Sequence, residues 1–215
     1  MGTNHMGRQS IRFPQPPVVR GFASVAGKKE REGPLGDQFT ATVQDTTFGE
    51  KSWERAERRM QQMTLELALE KAGLTDADLD AAFAGDLLNQ CIGSSFSLRN
   101  RGVPTLGLYG ACSTMAESLL LAAMSVSGGY ARTALAMTSS HFASSERQYR
   151  FPLGYGGQRT PTSQWTVTGA GAVLLGGGER GIRITAATIG SIVDRGICDA
   201  NNMGAAMAPA AASTL

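Results

Sequence analysis

Cys112 stands where two sequence textures meet. Residues 106–109 (LGLY) suit an extended segment, Gly110 tolerates a sharp reversal, and the run from Thr114 onward suits a helix. Glu117, Ser118 and Ser125 interrupt the largely apolar surface of that helix. A thiol at a helix start lies where unpaired N–H groups and the helix dipole favour a thiolate. Such a turn, built here from Gly110, Ala111, Cys112, Ser113 and Thr114, suits either a nucleophile or an anion site. A small buried thiol packed under the turn is the structural alternative, and the local pattern leaves both open.

Other candidate groups are Asp86, His141, Arg147 and Arg150. Asp86 follows a brief apolar strand predicted over residues 81–84. His141 follows another, over residues 131–137, that ends in Thr138, Ser139 and Ser140. With these strands parallel, Asp86, Cys112 and His141 lie at the C-terminal ends of successive strands, the edge where open α/β sheets bind ligands. His141 is read as a site residue or as a loop histidine capping a backbone group. Residues 144–157 read as a structured loop whose Arg147 and Arg150 pair with a ligand's carboxylates or with the protein's own acids.

The elements that must position these groups follow from periodicity and punctuation. Residues 52–72 form the clearest helix, with Ala56, Met60, Met63, Leu67 and Leu69 on its apolar face and Gly73 as its stop. Thr75 and Asp78 have capping-box spacing. Helix material follows at residues 94–100, and a strand begins after Pro104. Residues 11–23 hold one or two short strands broken by Pro14, Pro16 and Pro17, while residues 39–48 are ambiguous. Residues 164–175 form a glycine-containing strand, and residues 181–193 a second that could be its antiparallel neighbour. The GAG at residues 169–171 lacks the strand–turn–helix context of a dinucleotide site. Residues 205–215 are helix-like but broken by Pro209, and a chain ending there reads as truncated. The whole predicts an α/β fold with a mainly parallel sheet covered on both faces.

Composition narrows the function classes. The 215 residues include 27 glycines and are 42% hydrophobic, an ordered globular composition unlike that of a helical bundle. Twenty basic against 18 acidic residues are dispersed along the chain, which does not suggest nucleic acid. Cys91, Cys112 and Cys198 form no framework, and with two histidines in the chain no structural zinc site is expected. The thiols suggest a reducing compartment. No apolar run reaches the ~18 residues of a membrane span, so any membrane connection is expected to be peripheral or through a partner. Residues 1–6 (MGTNHM) read as an expression scar with a second start at Met6.

Several segments together carry a resemblance. They are EGPLG at 32–36, WERAERRM at 53–60, AGDLLNQ at 84–90, GACSTMAES at 110–118, TSSHFASSERQYRFPLGYGGQ at 138–158, TVTGAGAVLL at 166–175 and NMGAAMAPAA at 202–211. In this combination the chain closely resembles the N-terminal portion of the stage V sporulation protein AD family, a branch of the thiolase-like superfamily. The resemblance implies a fold of two similar α/β halves, assembled as homodimers. Residues 7–200 would be the first half, and residues 201–215 the truncated start of a linker or second half.

It also implies a forespore or spore protein, soluble or peripheral to the inner spore membrane, working with the other proteins of the same uptake system. Its ligand would be dipicolinic acid (pyridine-2,6-dicarboxylate), bound for uptake into the forespore. The turn at residues 110–113 would supply N–H donors, Ser113 or Thr114 a hydroxyl, and His141, Arg147 or Arg150 further contacts. No cofactor is expected, and calcium enters only as a companion of the dipicolinate. The expectation is a binding protein rather than an enzyme. The alternative is an acyltransferase or condensing enzyme acting through a Cys112 thioester, because Cys112 matches the superfamily nucleophile. The usual partners of that nucleophile come from the second half, and His141 does not match them.

Overall fold

The computed structural model describes residues 4–149, 166–198 and 202–214. Its strands are β1 (His5–Met6), β2 (Ser10–Arg12), β3 (Val18–Ala26), β4 (Ala41–Thr42), β5 (Ala81–Gly85), β6 (Thr105–Leu108), β7 (Thr133–Ser140), β8 (Gly169–Gly176) and β9 (Ala186–Thr188). Its helices are α1 (Lys28–Arg31), α2 (Trp53–Ala72), α3 (Ile92–Leu98), α4 (Thr114–Ser127), α5 (Phe142–Tyr149) and α6 (Met203–Thr214). Six strands form one sheet in the order β4-β3-β8-β7-β5-β6, and β1, β2 and β9 form a small second sheet.

The sheet is sandwiched because its strands alternate. On β7, Leu135 and Met137 pack with Leu65, Ala68 and Leu69 of α2, whereas Ala134 and Ala136 pack with Ala122, Ala123 and Val126 of α4. Each fully buried Leu or Met contributes roughly 1.5–3 kcal/mol, so these two faces hold much of the stability. The helix α2 starts and stops where its sequence dictates. Ser52 Oγ accepts the Arg55 N–H at 3.3 Å, and Gly73 takes the left-handed conformation at φ +64°. The Thr75–Asp78 capping box is also present.

Four expectations are corrected. The sheet is mixed rather than mainly parallel: β3–β4, β5–β6 and β5–β7 are parallel, but β8 runs antiparallel to both β3 and β7. A buried apolar strand carries no sign of its direction, so the sequence pattern was silent on this point. Residues 181–193 contribute the short β9, which pairs with β2, and a single antiparallel bridge from Arg183 to Val18, so the neighbours of β8 are β3 and β7. Gly181 at φ +119° and the exposed Ile182, Ile192 and Val193 are inconsistent with a long core strand there. Residues Phe142–Tyr149 are helix rather than loop, and residues 150–157 of that expectation lie outside the described ones. Finally, α6 runs through Pro209, its alanine-rich surroundings outweighing one lost hydrogen bond. His5 and Met6, set aside from the fold on sequence, pair with Ile11 and Ser10.

One close approach sets the edge that matters. A Cβ at Gly85, the last residue of β5, would lie 2.2 Å from the Leu108 carbonyl oxygen and 2.5 Å from Thr114 Cγ2. The turn after β6 therefore rests directly on Gly85. Gly85→Ala is expected to destabilise the fold by about 1–3 kcal/mol through overpacking. Urea unfolding of the variant checks this, and unchanged stability would mean that the turn yields freely.

Candidate functional site

The chain leaves β6 at Leu108, makes a single tight turn over Ala111–Ser113, and enters α4 at Thr114. The turn is tied by its own groups. Ser113 Oγ donates to the Gly110 carbonyl at 2.7 Å, and Thr114 Oγ1 donates to the Ala111 carbonyl at 2.8 Å. The Gly110 N–H donates to Thr114 Oγ1 at 3.2 Å, while Ala111 sits at φ +48°. Cys112 is exposed, which rules out the buried-thiol alternative. A Cβ at Gly110 would lie 2.5 Å from Glu117 Oε2, so an acid leans over the turn from the first turn of α4.

Asp86, Cys112 and His141 follow β5, β6 and β7, three neighbouring parallel strands, as the sequence predicted. Only Cys112 faces solvent. Asp86 is buried, its Oδ1 accepting the Leu88 N–H at 2.9 Å and its Oδ2 accepting the Ser94 N–H and hydroxyl at 2.7 and 2.6 Å. It anchors the start of α3. His141 is fully buried, with its ring centroid 5.0 Å from that of Phe142 and 5.4 Å from that of Trp53. Its Nε2 lies 2.8 Å from the Thr46 carbonyl, and its Nδ1 accepts the Ala143 N–H at 3.2 Å. That pair of partners specifies the Nε2–H tautomer. Burial holds its pKa below the ordinary histidine value, so the ring is neutral at neutral pH. Of its two sequence readings, the capping role fits. Arg147 belongs to α5, and Arg150 lies outside the described residues.

The sequence analysis missed a buried polar chain beneath this edge. Gln61 Nε2 donates to Ser139 Oγ at 2.7 Å and to Ser94 Oγ at 3.2 Å, and its Oε1 accepts from Ser97 at 2.6 Å. Ser139 and Ser144 donate to the two carboxyl oxygens of Glu57 at 2.8 and 2.6 Å. Ser94 closes the chain onto Asp86. Glu57 and Gln61 stand one helical turn apart, beside Ala56 and Met60 on the buried face of α2.

Burial pushes the Glu57 pKa up to about 7, against the lowering effect of Ser144 and Ser139, with the charges of Asp86 and Glu54 adding to the rise. Cys91, buried beside the turn, donates its thiol to the Leu108 carbonyl at 3.1 Å, and burial raises its pKa as well. Among the described residues no three acids, histidines or cysteines are grouped to hold a metal, and no helix is long and apolar enough to cross a membrane.

Comparison with known proteins agrees with this fold. The family model of stage V sporulation protein AD matches residues 7–215. Stage V sporulation protein AD of Bacillus subtilis is 46% identical over 209 residues, covering 97% of this chain and 62% of its own length. The chain thus spans under two thirds of that curated relative. Among solved structures, an OleA variant from Xanthomonas campestris aligns with TM-score 0.51 at 16% identity, over 77% of this chain and 59% of that one. Another variant of the same protein gives TM-score 0.50 at 15% identity, over 77% and 57%. These two likenesses speak to the thiolase-like α/β fold alone.

The buried acid makes a pH prediction. The folded pKa of Glu57, about 7, exceeds its unfolded value near 4.5, so between those values the unfolded chain binds fewer protons. Its contribution is fully present below pH 4.5 and is lost as pH rises to about 7. The loss amounts to roughly 3 kcal/mol at ~1.4 kcal/mol per unit. Glu57→Gln is expected to flatten the dependence in urea melts across that window, and an unchanged slope would assign it to other groups.

Proposed function

The chain belongs to the stage V sporulation protein AD family, and from that premise we propose that it binds dipicolinic acid for uptake into the forespore. The observation that carries this reading is the exposed, self-tied turn around Cys112 at the C-terminal edge of β5, β6 and β7. A preorganised turn offers backbone donors to an anion without reordering itself. Gly110, Ala111, Cys112 and Ser113 are the proposed contacts. Thr114 acts from beneath, because its buried hydroxyl already bridges Gly110 and Ala111. Arg147 and Arg150 are proposed to bring positive charge to the ligand's carboxylates. Asp86 and His141 act at a distance, holding the edge in shape.

The same features favour binding over turnover. A condensing enzyme needs a proton donor or acceptor beside its thiol, and both ring nitrogens of His141 already face backbone groups. Calcium would travel with the dipicolinate as cargo. The protein would work in the forespore, peripheral to the inner spore membrane, beside the other proteins of the uptake system.

A second, similar half is proposed to follow residues 201–215 and to pack over α4, whose Met124 is exposed. We also propose a homodimer through β6. It ends the sheet order, its Leu106 and the adjoining Tyr109 are half exposed, and an open strand edge is a ready template for a second copy.

Calorimetric titration tests the ligand, with the 3,5-isomer of the dicarboxylate as control and Cys112→Ala alongside. Saturable binding of the 2,6-isomer alone, weakened about tenfold or more in Cys112→Ala, is the expected result. Binding that ignores the Cys112 change would move the ligand away from the turn. For the assembly, Leu106→Lys is expected to shift the chain from dimer to monomer in light scattering. A dimer indifferent to that charge would exclude the β6 edge.

A further inference from the structure

Glu57 is fully buried and forms no ion pair among the described residues. Its Oε1 and Oε2 accept the Ser139 and Ser144 hydroxyls at 2.8 and 2.6 Å. Arg58, the next residue along α2, is turned to Glu50 at 2.8 Å. The charges that act on Glu57 are Asp86, after β5, and Glu54, on its own helix, both of them acids. His141, between β7 and α5, is held neutral by burial, and on α5 the group that meets Glu57 is the Ser144 hydroxyl.

The two protonation states use these partners differently. A carboxylate takes both hydroxyls as donors, yet two neutral donors replace little of the water that a buried charge has lost. A neutral carboxyl has a complete chain at hand. Ser139 Oγ accepts from Gln61 Nε2 and donates to Glu57 Oε1, while a proton on Oε2 is given to Ser144 Oγ. Ser144 Oγ then turns its own proton to the His141 carbonyl, 3.3 Å away. Each hydroxyl in that chain gives one hydrogen bond and receives one. Ser144 lies in the first turn of α5 and Glu57 in α2, so the chain ties the two helices together. With the Glu57 pKa pushed up to about 7 by burial, both states are populated near neutrality.

We propose that Glu57 is a proton-operated latch on α5: the neutral acid ties the first turn of α5 to α2, and its ionisation lets that turn go. Opening admits water to the carboxylate and releases a proton, so it is favoured as pH rises. The latch itself needs no ligand. Its consequence for capture, weaker binding on the alkaline side as α5 and its Arg147 leave the edge, rests on the dipicolinate reading.

Hydrogen exchange of the whole chain, read by mass spectrometry as protection relative to the intrinsic rate at each pH, tests the latch without ligand. In the parent, α5 amides are expected to lose about tenfold in protection between about pH 6 and pH 8, and to exchange faster than α4 throughout. Glu57→Gln, whose amide accepts from Ser139 and donates to Ser144, is expected to keep α5 protected at both ends of that window. Ser144→Ala is expected to leave α5 weakly protected at both ends, and it carries the comparison should Glu57→Gln fail to fold by circular dichroism. Parent α5 protection that ignores pH, an unchanged pH dependence in either variant, or equal protection of α5 and α4 would each overturn the proposal. Dipicolinate binding that fails at every pH while the exchange result holds would strike the ligand reading alone.

Discussion

Everything at the C-terminal edge of the sheet depends on one buried polar chain, from Asp86 through Ser94, Gln61 and Ser139 to Glu57 and Ser144. Apolar packing of α2 on β3, β7 and β8 is non-directional and would tolerate sliding. The polar chain would not, because each buried carboxyl or amide that loses its partner costs about 1–3 kcal/mol. Four of its six groups are serines or an amide that fit one register alone. α2, α3, α5 and the ends of β5 and β7 are therefore fixed together, and Gly85 then gives the Cys112 turn its seat.

This arrangement separates three residues that share one edge. Asp86 meets three donors and His141 meets a carbonyl, an N–H and two rings, so both are consumed by the fold. Cys112 is left outside because its turn satisfies itself through Ser113 and Thr114. Position at a strand end brings a residue to the edge. The donors around it decide whether it faces in or out.

What the sequence disclosed follows the range of the forces involved. Ser52 and Gly73 bound α2 through contacts within a few residues, and the Thr75–Asp78 box closes over three, so these were legible. The strand–turn–helix at Cys112 was legible for the same reason. The burial of Glu57 was not, because its partners Ser139 and Ser144 lie 82 and 87 residues away. Within the run ERAERRMQQ a glutamate looks like any solvated face. The direction of β8 escaped for a similar reason, since strand polarity is set by the connection and not by the pattern of Ala, Val and Leu. Pro209 misled because the rule that proline ends helices weighs one residue, whereas α6 sums the propensity of many alanines.

The turn also limits what can sit on it. Glu117 places a carboxylate beside Gly110, at the positive end of α4 that an anion would otherwise occupy. A ligand carboxylate placed at Gly110 would meet that group at close range, where like charges oppose each other. The turn thus supplies shape and backbone donors but weakens its own pull on anions. A dianion would need cations from outside it, either from α5 and the segment that follows or from the part of the longer relative that this chain does not span. A site assembled in that way binds only when its pieces are together. On the proposed reading, the turn is then one wall of a binding site rather than a complete catalytic centre.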